Sequence, residues 1–228
     1  MSKWKGIIGR GFTPSEFADY VATLTFDQWR PQFVVVHNTG DPTFAEWHSV
    51  PTERRLKGLE SYYRDDQGWS AGPHLFIADD KIWVFTPLTT SGVHSPSWNH
   101  VSWGVEIVGD YDHEIFRSDV KANVISALVT LHLAIGLDPL RLKFHKEDPL
   151  TTHTYCPGTR VSKPDILSAL QRALFIETPG EHAPSRPTIP LSIGGEREQP
   201  LGSSPRPGAP VKPAPGSNVR TDPTARSF

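Results

Sequence analysis

Apolar positions along this chain change period repeatedly, and each change marks an element. Thr13-Pro14-Ser15-Glu16 is a capping box with proline at the first helical position. Behind it Phe17, Tyr20, Val21 and Leu24 keep helical spacing, and residues 1–12 read as an irregular arm. Pro31 opens the run Phe33-Val34-Val35-Val36-His37-Asn38-Thr39-Gly40. Its unbroken β-branched stretch predicts a strand covered on both faces, ending at His37. Residues 40–50, with Phe44, Trp47 and His48, read as a loop. Leu56, Leu59 and Tyr63 then line one side of a helix over 52–63, which Gly68-Trp69-Ser70-Ala71-Gly72-Pro73 breaks. Strands over 74–78 and 82–86 flank the turn signal Asp79-Asp80.

A long loop over 87–102 holds His94, Trp98, Asn99 and His100, and long loops without structure of their own are often functional. The strand 103–108 follows. Ser118 is the expected cap of a helix to Ile135, on which Val120, Val124, Leu128 and Leu131 keep helical spacing until Gly136 stops it. A strand over 140–144 leads to His145, and Ser162 and Pro164 open a last helix carrying Ile166, Leu167, Leu170, Leu174 and Phe175. Helices alternating with strands predict an α/β fold with a central β-sheet flanked by helices, mixed because of the hairpin.

From about Thr178 the pattern stops. Half of the 22 prolines fall in the last fifty residues, among Gly and Ser. Such a segment buries too little apolar surface to offset its ordering entropy. The expectation is a domain over 1–177 and a disordered Pro/Gly-rich C-terminal tail over 178–228. The tail's six Lys/Arg exceed its four Asp/Glu by two; with −2 overall, residues 1–177 carry −4. A domain of that sign lacks the electrostatic footprint of a nucleic-acid binder. No apolar run reaches the length of a membrane span, and the first ten residues hold no apolar core of signal-peptide length. The expectation is a monomer that accumulates in the cytoplasm.

The chemistry concentrates in Phe144-His145-Lys146-Glu147-Asp148-Pro149-Leu150-Thr151-Thr152-His153-Thr154-Tyr155-Cys156-Pro157-Gly158. It contains the single cysteine, with a histidine eleven residues upstream. Imidazole and thiolate are preferred ligands of zinc, and a catalytic zinc site takes three protein ligands. His37, at the end of a buried strand, is the best third candidate, because α/β sheets place their ligands at the carboxyl ends of strands. Glu106 is the other anomaly: a carboxylate inside the apolar strand Trp103-Gly104-Val105-Glu106-Ile107-Val108 is costly without a partner or a task.

The pieces Val-Val-Val-His37-Asn-Thr, His74-Leu-Phe-Ile, Trp103-Gly-Val-Glu106-Ile, Phe144-His145 and Thr152-His153-Thr154-Tyr155-Cys156-Pro157-Gly158 occur in that order. Together they resemble the zinc-dependent N-acetylmuramoyl-L-alanine amidases, the family of phage lysins and peptidoglycan recognition proteins, over roughly residues 30–175. The resemblance implies Zn2+ in a surface groove on His37, His145 and Cys156, with Glu106 as general base. It implies hydrolysis of the amide between N-acetylmuramic acid and L-alanine in peptidoglycan; without a signal-peptide core at the start, delivery to the wall is expected to depend on a holin-type pore, lysis or a dedicated secretion route. Some relatives place a tyrosine beside the position of His74; here that neighbour is Pro73, which gives Glu106 more weight. Relatives often carry lysine two residues before the third ligand to neutralise the oxyanion; here Thr154 stands there, with His153 or Tyr155 as other contributors. His94 matches a groove histidine that contacts substrate or the tetrahedral oxygen. His74 and His153 join it as substrate-binding candidates, and Trp69 and Trp98 either stack on sugar faces or pack. The reading from a different class is a muropeptide-binding module without catalysis; the complete ligand set favours the enzyme.

Overall fold

The structure, a computed structural model, describes residues 3–177; the tail expected over 178–228 lies outside the described residues. β1 (Arg10–Phe12) leads into α1 (Pro14–Ala22) and β2 (Phe33–Asn38). Then come α2 (Phe44–Trp47), α3 (Thr52–Ser61), β3 (Leu75–Ile77), β4 (Ile82–Val84) and β5 (Ser102–Ile107). α4 (Ser118–Ile135), β6 (Leu142–Phe144) and α5 (Lys163–Glu177) complete the order.

The expected capping box closes α1, with Thr13 accepting from the Glu16 N–H and the Glu16 carboxylate accepting from the Thr13 N–H. Three expectations need correction. The arm before α1 ends in strand β1, which pairs antiparallel with β4; a three-residue edge strand carries no period of its own. The 40–50 loop contains α2, opened by a second capping box, Thr43 with Glu46, and it buries Trp47 completely. Ser118 is the first residue of α4, not its cap: Arg117 holds the cap position without a side-chain bond, and Asp119 accepts the Val120 N–H.

The six strands form one mixed sheet in the order β1-β4-β3-β5-β2-β6. β3, β5, β2 and β6 run parallel, and β4 and β1 add antiparallel to one edge. Side chains alternate across it. Val34, Val36, Val105, Ile107, Leu142 and Phe144 join the core under α1, α4 and α5. The opposite face carries a second cluster, with Trp47, Leu56, Phe76 and Phe85. Burying each large apolar side chain is worth about 1.5–3 kcal/mol. A one-residue slip of β2 would exchange Val34 and Val36 for Val35 and His37 in the core, so register is firmly held.

α4 is, among the described residues, the one helix apolar and long enough by composition to cross a membrane. Here its apolarity serves packing: Val120, Val124, Ala127, Leu128, Leu131 and Ile135 are buried in the main core.

Candidate metal centre

The parallel register sets two groups side by side. His37 on β2 lies directly opposite Glu106 on β5, and Val36 opposite Phe144 on β6. His37 and His145 therefore leave adjacent strands at the same carboxyl end, on the face away from α4. Their rings lie 4.3 Å apart, centroid to centroid. The loop after β6 doubles back, the Lys146 N–H donating to the Cys156 carbonyl at 3.1 Å. One ligand atom each from His37, His145 and Cys156 falls within 4.8 Å of the others. Gly158 allows this return: its φ is +98°, and a Cβ there would lie 2.6 Å from the Tyr111 backbone.

Two imidazoles and a thiol converging this closely form a donor set that fits zinc. Burial holds all of them in neutral form. It pushes His37 well below the ordinary histidine range, aided by the neighbouring His145, and takes His145 down to about 4. It pushes the Cys156 thiol up, as does the Glu106 charge, while the Asn38 N–H and Lys146 pull the other way. His145 Nε2 lies 2.9 Å from the Thr151 hydroxyl.

Glu106 places Oε1 3.8 Å from His37 Nδ1. Its Oε2 is shut off from solvent and has no hydrogen-bond partner among the described residues. Burial pushes this carboxyl up to about 8. A buried carboxylate oxygen left unpaired is costly, and here it lies beside three metal-type donors.

The other candidates divide. His153 is exposed and its ring lies 5.2 Å from that of His145; Thr154 is exposed on the same loop. Trp69 is 37% exposed and stacks face to face on Tyr63 at 5.2 Å, open to a ligand. Three expected substrate contacts have protein partners. His74 is fully buried: Nδ1 accepts from the Gly104 N–H and Nε2 donates to the Thr90 carbonyl, so neither nitrogen is free. His94 lies behind His37, with Nδ1 3.1 Å from His37 Nε2 and Nε2 3.3 Å from the Ser102 carbonyl oxygen. Trp98 packs edge-on against Phe33 with the Lys143 ammonium 5.2 Å above its ring; Phe33 is four residues, roughly 13 Å, from His37 along the strand.

Two contributors had no sequence signal. Asp148 is buried and accepts from the Ser95 hydroxyl at 2.5 Å, the Ser97 N–H at 2.9 Å and the Leu150 N–H at 2.9 Å. Burial raises its pKa, but these bonds together outweigh that and hold it at about 2. It thus ties the His94 loop to the loop after His145. Tyr63, whose hydroxyl burial and the Glu106 charge push well above the ordinary range, stands on a π-helical turn at the end of α3.

Close packing at His94 is testable. A Cβ on Gly104 would lie 2.3 Å from the His94 ring. Gly104→Ala should cost about 1–3 kcal/mol by overpacking, read as a lower midpoint in chemical denaturation; an unchanged midpoint would show that His94 yields freely.

Residues 27–159 match the family model described as N-acetylmuramoyl-L-alanine amidase. Peptidoglycan-recognition protein SC2 of Drosophila simulans is 23% identical over 135 residues, 57% of this chain and 69% of that protein. Peptidoglycan-recognition protein 1 of Holotrichia diomphalia is 25% identical over 84 residues, 36% of this chain and 42% of its own length. Two solved structures share the fold. Peptidoglycan recognition protein-LE in complex with tracheal cytotoxin, a monomeric diaminopimelic acid-type peptidoglycan, has a TM-score of 0.52 at 19% identity, covering 60% of this chain and 80% of that one. The endolysin N-acetylmuramoyl-L-alanine amidase LysCS from Clostridium intestinale has a TM-score of 0.51 at 23% identity, covering 63% and 86%.

Proposed function

Because the chain belongs to the N-acetylmuramoyl-L-alanine amidase family, we propose that it is a zinc hydrolase that cleaves the amide between N-acetylmuramic acid and L-alanine in peptidoglycan. The observation that carries the reading is the complete donor set of His37, His145 and Cys156 beside the unpaired carboxylate oxygen of Glu106. The tracheal cytotoxin complex of a structural neighbour supports a muropeptide as ligand. On this reading the protein acts on the wall after release from the producing cell.

His37, His145 and Cys156 would hold the metal. When bound, zinc supplies Lewis acidity, acidifying water and polarising the amide carbonyl. Glu106 takes the proton of the attacking water and returns it to the leaving nitrogen. Its raised proton affinity suits it to both tasks, since a base near the working pH balances accepting and donating. The Thr154 hydroxyl donates a hydrogen bond toward the developing oxyanion, and Trp69 offers an apolar ring face to the substrate.

The test is mass spectrometry of a muropeptide digest. The expected products are stem peptide with a free L-alanine amino group and the matching lactyl carboxylate on the glycan. Binding of muropeptide with no such products would replace the hydrolase with a recognition module.

Thr154→Lys should raise turnover several-fold at unchanged zinc content, since a positive charge near an oxyanion stabilises it more than a hydroxyl does. A drop in turnover with zinc retained would assign Thr154 to a different arrangement, centred on His153.

A further inference from the structure

We propose that His94 is a positioning residue of the metal centre: its Nδ1 accepts the Nε2–H of His37 and so presents the His37 Nδ1 lone pair as the ligand atom. This rests on reading His37, His145 and Cys156 as a metal site.

The argument follows the hydrogens. The Ser102 carbonyl can only accept, and it lies 3.3 Å from His94 Nε2, so that nitrogen carries the hydrogen. A neutral imidazole has one N–H, which makes His94 Nδ1 an acceptor. His37 Nε2 stands 3.1 Å from it and must donate. The lone pair of His37 is then on Nδ1, the nitrogen that faces Glu106 at 3.8 Å. A backbone carbonyl two residues before Gly104 thereby fixes the tautomer of a ligand two imidazoles away. Partners of this kind orient metal-bound histidines and raise their basicity.

His94 is held more firmly than packing alone would need. The Asn99 side-chain oxygen accepts from both the His94 N–H at 2.7 Å and the Ser95 N–H at 2.8 Å. Asp148 ties the same loop to the segment after His145 through the Ser95 hydroxyl and the Ser97 N–H. Gly104 leaves the space that the His94 ring fills. Three independent constraints therefore fix the distance between one histidine nitrogen and another.

Two measurements test this on the full-length protein. Long-range 15N–1H correlation spectra of the metal-free parent should show both His94 and His37 as Nε2–H tautomers. This needs no variant, so it stands whatever happens to a mutant's fold. Chelator competition should then show zinc affinity falling roughly 10- to 100-fold in His94→Phe. His94→Asn, which restores an acceptor oxygen near the Nδ1 position, should recover most of the loss and keep His37 in the Nε2–H form. An Nδ1–H tautomer at His37, unchanged zinc affinity in His94→Phe, or direct coupling from bound 113Cd to His94 would each overturn the proposal while leaving the metal site intact. A parent protein that binds no zinc would instead overturn the metal reading itself, and this proposal with it.

Discussion

His145→Ala should leave the protein with almost no bound zinc and no measurable amidase turnover. The variant removes one of three donors that lie within 4.8 Å of each other, and two remaining donors do not make a zinc site. Elemental analysis of parent protein purified without chelator should give about one zinc per chain. The same contrast should appear in stability. A ligand that binds only the folded state stabilises it by about 4 kcal/mol at a thousandfold excess over its dissociation constant. Zinc should therefore raise the melting temperature of the parent and not that of the variant. pH gives a third handle. Burial holds the Cys156 thiol in its protonated form, so zinc must displace a proton on binding, and affinity should weaken as pH falls. Zinc content unchanged in His145→Ala would remove the metal assignment.

Glu106→Gln should keep its zinc and its fold and lose about a hundredfold or more in turnover, the usual scale for removing a general base. It should also stabilise the metal-free protein at neutral pH. The sign follows from the carboxyl's raised pKa, about 8 against an ordinary 4.5. A group that binds its proton more tightly when folded contributes stability that is fully present below 4.5 and is lost as pH rises through 8. Glutamine has no such dependence. The stability difference between Gln variant and metal-free parent should therefore grow from about pH 5 to about pH 8. Near-full turnover in Glu106→Gln would mean that another group is the base, and Tyr63, which the Glu106 charge reaches, would be tested next. A flat stability difference would mean that the carboxylate finds solvation that its unpaired oxygen does not show.

The sequence by itself determined most of the elements and singled out the candidate groups. β2, α1, α4 and α5 are legible because burial of one stripe or of both faces imposes a period, and a period is local. His37, His145 and Cys156 stand out because they occur where a period stops, and Glu106 because a charge interrupts an apolar strand. What needed the tertiary structure is which groups face each other. The register that sets His37 opposite Glu106 belongs to the pairing of β2 with β5, two strands separated by sixty-odd residues of chain, and pairing leaves no mark in either strand alone. β1 is invisible for the same reason: three residues become a strand only because β4 offers them an edge. The histidines make the point most clearly. His74 and His94 read in sequence like His153, as polar residues near a groove. Burial and partners separate them: His74 spends both nitrogens on backbone, His94 spends one on His37, and His153 lies exposed beside His145. An imidazole's role is set by what its two nitrogens touch, and those contacts come from segments distant in the chain.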